Sequence, residues 1–178
     1  MGCRFINMGF LSPAAGGAIF TVPTTTSGLA FIGCHFDGRS STAATIAISA
    51  TAVEQLTIQD CRFFGKFSTA TINIGAGASR ALLIKDNIIE SGAIGIAVDS
   101  SATCADAIGI IANNIIKAVT LCIDENSDKF AVVGNRGCTA ANSGATTMDY
   151  SAVLGSDNQF TSGNGTLAYP ATNFGAQS

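Results

Sequence analysis

The chain has 178 residues, enough for one domain with a sizeable core and too few to make two ordinary domains the default. Apolar residues make up 47% of it, only 12% is charged, Trp is absent and the formal net charge is -3. Without clustered Lys and Arg to displace counterions, that balance excludes a binder of phosphate backbones, so nucleic acid is not an expected partner.

In chain order, GCRFINMG (2–9) is an apolar run with a polar interruption, and AIFTV (18–22) reads as a strand. GLAFIGCHFDG (28–38) is two short strands about a break, and ATIAIS (44–49) is a third. The same sentence returns as LTIQDCRFFG (56–65) with ATINIG (70–75), as LLIKDNIIESG (82–92) with AIGIAV (93–98), and as GIIANNIIKA (109–118) with VTLCID (119–124). A last copy reads FAVVGNRGCT (130–139) with TTMDYS (146–151). The break is expected at Cys3, Cys34, Cys61, Asn87, Asn114 and Asn135, in steps of 31, 27, 26, 27 and 21 residues. Self-similarity at such a period marks a repeat architecture.

Apolar residues alternate within each copy, as in Leu29 and Phe31, Leu56 and Ile58, Leu82 and Ile84, and Phe130 and Val132. Period two means strands with one buried face. Before each break stands Gly33, Asp60, Asp86, Asn113 or Gly134, residues that tolerate a left-handed backbone. The chain resumes as a strand at once, with Phe36, Phe63, Ile89 and Ile116 two residues past the break. Short strands of this kind bury a face only by stacking, coil upon coil at about 4.8 Å, so equivalent residues become ladders.

This coil resembles right-handed parallel β-helices, the pectate-lyase-like and phage-tailspike-like folds, which often carry an Asn ladder at a tight bend. Asn87, Asn114 and Asn135 match that ladder, while Cys3, Cys34 and Cys61 depart from it as apolar substitutes. The expected fold is all-β: a single-stranded right-handed parallel β-helix of about five to six coils over residues 1–150, with 151–178 as an irregular C-terminal cap or arm.

The resemblance is specific for fold and nearly silent on function. In a polysaccharide lyase or hydrolase of that kind, the reacting groups would lie on the outward face of the strand after the long turn. The outward positions there are expected to be Thr45, Ala47 and Ser49; Thr71, Asn73 and Gly75; Gly95, Ala97 and Asp99; and Thr120, Cys122 and Asp124. Asp99 and Asp124 are placed to stack, but no Arg or Lys accompanies them, and a glycosidase needs two carboxyls about 5–9.5 Å apart. Asp60 and Asp86, one coil apart, form the stronger carboxylate pair, and like charges at that spacing can raise one pKa. The plainer reading has both in water, screened by Arg62 or Lys85.

His35, the single histidine, is expected on the surface in a column with Arg4, Arg62, Ile88, Ile115 and Arg136. The six cysteines form no CxxC or Cys/His metal spacing and read as buried thiols rather than disulfides or a metal row. GAGAS (75–79) precedes no helix and is not a phosphate loop. No catalytic, cofactor-binding or metal-ligating residue is therefore assigned, and no cofactor is expected.

No apolar run approaches the roughly 20 residues needed to cross a bilayer, and MGCRFINMGF lacks a basic segment leading into an apolar one. The expectation is a soluble, unsecreted chain without a membrane partner. No cap precedes the first coil, so either a larger protein or another chain is expected to cover that end. A mean hydropathy of +0.40 is high for a solitary surface and points to burial against copies of itself. Short β-helices without a catalytic cluster resemble phage virion proteins. The expected function is accordingly non-enzymatic: a homotrimeric capsid decoration (cement) protein in the virion, assembled in the host cytoplasm and partnered with the major capsid protein or another virion protein. The alternatives are a tailspike or receptor-binding β-helix that binds or cleaves a surface glycan, and a threonine-array surface binder built on Thr45, Thr71 and Thr120.

Overall fold

The structure, a computed structural model, describes residues 2–12, 16–39, 44–104, 109–125, 127, 130–139, 148–150, 155–156, 159–161 and 167–168. Among these the secondary structure is entirely β, and nearly every strand pairs parallel to its counterpart one coil away. The result is a parallel β-solenoid of about four turns, followed by less regular C-terminal strands.

Three ladders run along it. The first stacks seven strands: Cys3–Ile6, Leu29–Ile32, Thr57–Gln59, Leu83–Lys85, Gly109–Ala112, Phe130–Val133 and Gly155–Ser156. The second stacks Gly9–Leu11, His35–Gly38, Arg62–Gly65, the first half of Ile88–Val98, the first half of Ile115–Glu125, Arg136–Thr139 and Gln159–Thr161. The third stacks Ala18–Val22, Ile46–Ala50, Ala70–Ile74, the second halves of the two long strands, and Met148–Tyr150. Two short strands absent from the sequence expectation, Gly77–Ser79 and Ala102–Cys104, pair beside these ladders. An antiparallel pair, Gln159–Thr161 with Leu167–Ala168, lies at the C-terminal end.

The bend between the first two ladders is where the sequence placed it. Gly33, Asp60, Asp86, Asn113 and Gly134 all adopt left-handed φ, between 53° and 65°. The first coil differs from expectation. Cys3 pairs with Leu29 and Gly9 with His35, so the break falls at Met8, preceded by Asn7 at φ 52°. Cys3 is exposed at a strand start, and Gly9 rather than Arg4 occupies the His35 column. The misreading arose because GCRFI mimics the break motif, whereas register is settled by hydrogen bonds across coils, such as Cys3 N–H to Gly28 O at 3.0 Å.

A second left-handed column, Gly28, Gln55 and Ala81 at φ 70°, 54° and 49°, turns the chain into the first ladder just before the inward Leu29, Leu56 and Leu82. Only Gly28 announces this column in the sequence, because Gln and Ala are not turn residues.

Inside, the columns hold as predicted. Phe31, Ile58, Ile84 and Ile111 are fully buried in one, and Phe36, Phe63 and Ile89 in the next. Stacking at the strand spacing puts like on like: Phe10 on Phe36 at 4.7 Å and Phe36 on Phe63 at 4.8 Å, both offset from parallel by 11°. Each such ring or branched chain removed from water contributes on the order of 1.5–3 kcal/mol.

At the bend, Asn87 Nδ2 donates to Ile58 O (2.9 Å) and to Asn114 Oδ1 (2.9 Å). Asn114 Nδ2 donates likewise to Ile84 O (3.1 Å) and Asn135 Oδ1 (2.8 Å). Each Oδ1 also accepts the backbone N–H of the preceding coil, from Cys61 (2.9 Å), Asn87 (3.1 Å) and Asn114 (3.0 Å) in turn. The cysteines below them do a weaker version of the same job. Cys61 Sγ donates toward Phe31 O (3.5 Å) and Cys34 Sγ toward Phe5 O (3.3 Å).

Candidate functional site

The outward face of the third ladder is not the row of residues that simple alternation predicts. Ladder pairing skips one residue per coil: Ile46 pairs with Ala70 and Ile48 with Ile72, Ile94 with Leu121 and Ile96 with Ile123. The skipped residues, Ala47, Thr71, Gly95 and Cys122, bend the strand and turn inward, and all are buried. They are small because two successive inward residues share one corner. A Cβ on Gly95 would collide with Ile116 and with Cys122 O, and Cys122 Sγ already lies 3.7 Å from Ile116 O.

The outward column is therefore Thr21, Ser49, Asn73, Ala97 and Asp124, with Asp149 next in backbone register. Asp124 is in backbone register with Asp149 rather than with Asp99, whose Oδ1 instead accepts the Ser101 N–H at 2.8 Å in a turn. The threonine array is contradicted too. Thr71 is fully buried, while Thr45, its N–H bonded to Gly17 O, aligns with Thr69.

Asp60 and Asp86 sit on the left-handed bend, outside the coil. Asp60 accepts from Gln59 Nε2 at 2.9 Å, and Asp86 lies 3.5 Å from Lys85 Nζ. Each carboxylate is thus served by its own chain neighbour: Lys85 is one of the two screening residues expected from the sequence, while Gln59 rather than Arg62 serves Asp60. Cys34 and Cys61 are buried thiols, and burial pushes the Cys61 thiol up to about 12, so it stays protonated and unreactive. The side chains of Cys104 and Cys138 lie outside the described residues. Within GAGAS, Gly77–Ser79 is a short strand paired with Ala102–Cys104.

A cluster that sequence reasoning missed lies on the second ladder. Asp37 grips Arg39 through Nε (3.0 Å) and Nη2 (2.6 Å) and accepts its backbone N–H (2.9 Å). These hydrogen bonds hold the Asp37 carboxyl down at about 2. Arg39 lies over the Phe64 ring at 6.0 Å, and exposed His35 packs on the same ring at 5.0 Å. Parallel register makes the cluster by setting Asp37 beside Phe64 and His35 beside Arg62. Both Asp37 and Arg39 are engaged with each other, so the cluster reads as a surface clasp rather than a free anion or cation site. Among the described residues no three His, Cys, Asp or Glu side chains gather where they could hold a metal ion.

Charge is sorted by face. The second ladder carries Asp37, Arg62, Glu90, Lys117 and Arg136 outward, together with His35, Phe64, Ile88 and Ile115, the last 57% exposed. The first ladder presents Ile32, Thr57, Gln59, Leu83, Ile110, Ala112, Ala131 and Val133, with Ile110 41% exposed. Among its outward residues only Arg4 and Lys85 are charged. The sequence matches no protein-family model, and neither the curated proteins nor the solved structures contain a match to it. No helix among the described residues is long and apolar enough to cross a membrane.

Proposed function

We propose that this chain is a non-enzymatic structural protein that acts by self-association, most concretely a trimeric phage capsid decoration (cement) protein. The observation that supports the reading is the low charge of the outward side of the first ladder, where Arg4 and Lys85 stand among Ile32, Leu83, Ile110, Ala112, Ala131 and Val133. A flat apolar sheet face loses solvent favourably against its own kind, while the charged face keeps the assembly in water. In that reading the free energy of assembly is apolar burial and the major capsid protein or another virion protein is the further partner.

Native mass measurement tests the self-association. A species three times the 18.0 kDa chain supports it, and Leu83→Lys with Ile110→Lys should return that species to a monomer. A wild-type monomer sinks the trimer. Release of reducing or unsaturated sugars from a glycan panel, lost in Asp60→Asn or Asp86→Asn, sinks the non-enzymatic reading. Fractionation of the source material tests the virion assignment: the chain must travel with particles in a fixed ratio to a shell or tail subunit.

A further inference from the structure

Asp37 and Gly38 are the chain's single Asp-Gly pair, and they stand at the end of the strand His35–Gly38. In such a pair the backbone nitrogen of Gly can attack the side-chain carboxyl carbon of Asp. A C–N bond forms, one carboxyl oxygen leaves as water, and a five-membered succinimide results. Water then adds back and opens the ring at either carbonyl, which returns Asp or leaves isoaspartate, with the main chain running through the former side chain. No oxidant, reductant or cofactor takes part. Gly hinders this least, because it puts no side chain beside its attacking nitrogen.

The Asp37 carboxyl is held in a way that opposes the reaction. Its Oδ1 accepts the Arg39 backbone N–H at 2.9 Å and Arg39 Nε at 3.0 Å, while Oδ2 accepts Arg39 Nη2 at 2.6 Å. Ring closure expels water from the neutral acid, whereas charge-assisted hydrogen bonds to a guanidinium favour the carboxylate. In keeping with those bonds, the carboxyl titrates near 2, below its ordinary 3.8. Both oxygens are also tied to the residue beyond Gly38, which restrains the carboxyl from turning onto the Gly38 nitrogen. Asp37 lies in register between Leu11 and Phe64, neither of them charged, so Arg39 supplies the clasp.

We infer that Asp37–Gly38 is a latent site of backbone isomerisation and that Arg39 is the residue that guards it. Its place in the fold makes the guard matter. Gly38 is buried and paired with Gly65, so tightly that a Cβ on Gly65 would strike the Gly38 backbone and a Cβ on Gly38 would strike the Phe67 ring. Isoaspartate adds one methylene to the main chain immediately before this contact, and a close-packed ladder in fixed register has no room for it. The isomerised chain is expected to melt at a lower temperature than the parent. This inference is independent of self-association.

The test is ageing of the full folded chain at pH 6, with isoaspartate mapped to residue 37 by peptide chromatography and mass fragmentation. The Arg39 side chain is 68% exposed, so Arg39→Ala leaves the core intact. Isoaspartate is expected to form about tenfold faster in this variant, as for the loss of hydrogen bonds to a charged group, and at an intermediate rate in Arg39→Lys. In denaturant, where the clasp is gone from both, wild type and Arg39→Ala should isomerise at the same rate. Equal rates in the two folded chains overturn the proposal. So does a difference that persists in denaturant, since it would belong to the local sequence rather than to the clasp. Denatured wild type that forms no isoaspartate at residue 37 overturns it as well.

Discussion

Replacing Asn114 by Ala tests whether the ladder of amides holds the bend together. Asn114 makes four side-chain hydrogen bonds: Nδ2 to Ile84 O and Asn135 Oδ1, and Oδ1 from the backbone N–H and the side-chain amide of Asn87. In the Ala variant Asn87 Nδ2 keeps Ile58 O and Asn135 Oδ1 keeps the Asn114 N–H, so neither is stranded. The Asn87 N–H, buried with its residue, loses the Asn114 Oδ1 acceptor, which costs about 1–3 kcal/mol. The remaining lost bonds add about 0.5–1.5 kcal/mol each, partly offset by the Asn rotamer freedom regained. The sum is a destabilisation of about 3–5 kcal/mol, read in denaturant unfolding or as a fall in melting temperature of about 10 °C for a chain of this size. A loss under about 1 kcal/mol, with circular dichroism unchanged, would refute the idea that the amides are structural. The reverse change, Cys61→Asn, should extend the ladder downward. Its amide would lie where Cys61 Sγ now reaches Phe31 O and next to Asn87 Oδ1, and a gain of about 1 kcal/mol is expected.

Thr71 Oγ1 is buried without a hydrogen-bond partner, so Thr71→Val should stabilise the chain by about 1 kcal/mol; a loss of stability would show that the hydroxyl is satisfied. Cys61 should resist an alkylating reagent at pH 8 in the folded chain while exposed Cys3 reacts, as peptide mass mapping would reveal. Because the folded Cys61 thiol titrates near 12 rather than near its ordinary 9.0, its contribution to stability is complete below pH 9 and is lost as pH rises from 9 toward 12; Cys61→Ala should flatten that part of the profile. Asp37 has the opposite sign. Its carboxyl is held near 2 against an ordinary 3.8, so its contribution is present above pH 4 and fades as pH falls toward 2. In Arg39→Ala the Asp37 resonance should titrate back near 3.8, and an unchanged titration would show that Arg39 is not the cause.

The candidate sites illustrate where reading ahead from residues stops. Asp60 and Asp86 were recognisable as bend residues, because a left-handed backbone before a resumed strand calls for Gly, Asn or Asp. Lys85 was expected beside Asp86, whereas the sequence pointed to Arg62 and the structure pairs Asp60 with Gln59. The Asp37, Arg39, Phe64 and His35 cluster was not, since it joins residues from two coils through a register that only cross-coil hydrogen bonds set. The proposed lateral face has the same character. Ile32, Leu83 and Ile110 each look like ordinary strand hydrophobes until the ladder shows them on the outside.

For this protein the sequence alone determined the parallel solenoid, the bend columns and the lumen columns. A solenoid's fold is its nearest-neighbour repeat, so the same local pattern written several times is nearly the whole instruction. Tertiary structure decided the first break at Met8, the inward turn of Ala47, Thr71, Gly95 and Cys122, and the partial exposure of Phe5 and Phe10. Small residues at a corner carry no hydrophobic signal, and Phe5 and Phe31 are the same residue type in the same column. Only the presence or absence of a coil beneath distinguishes a core residue from a surface one.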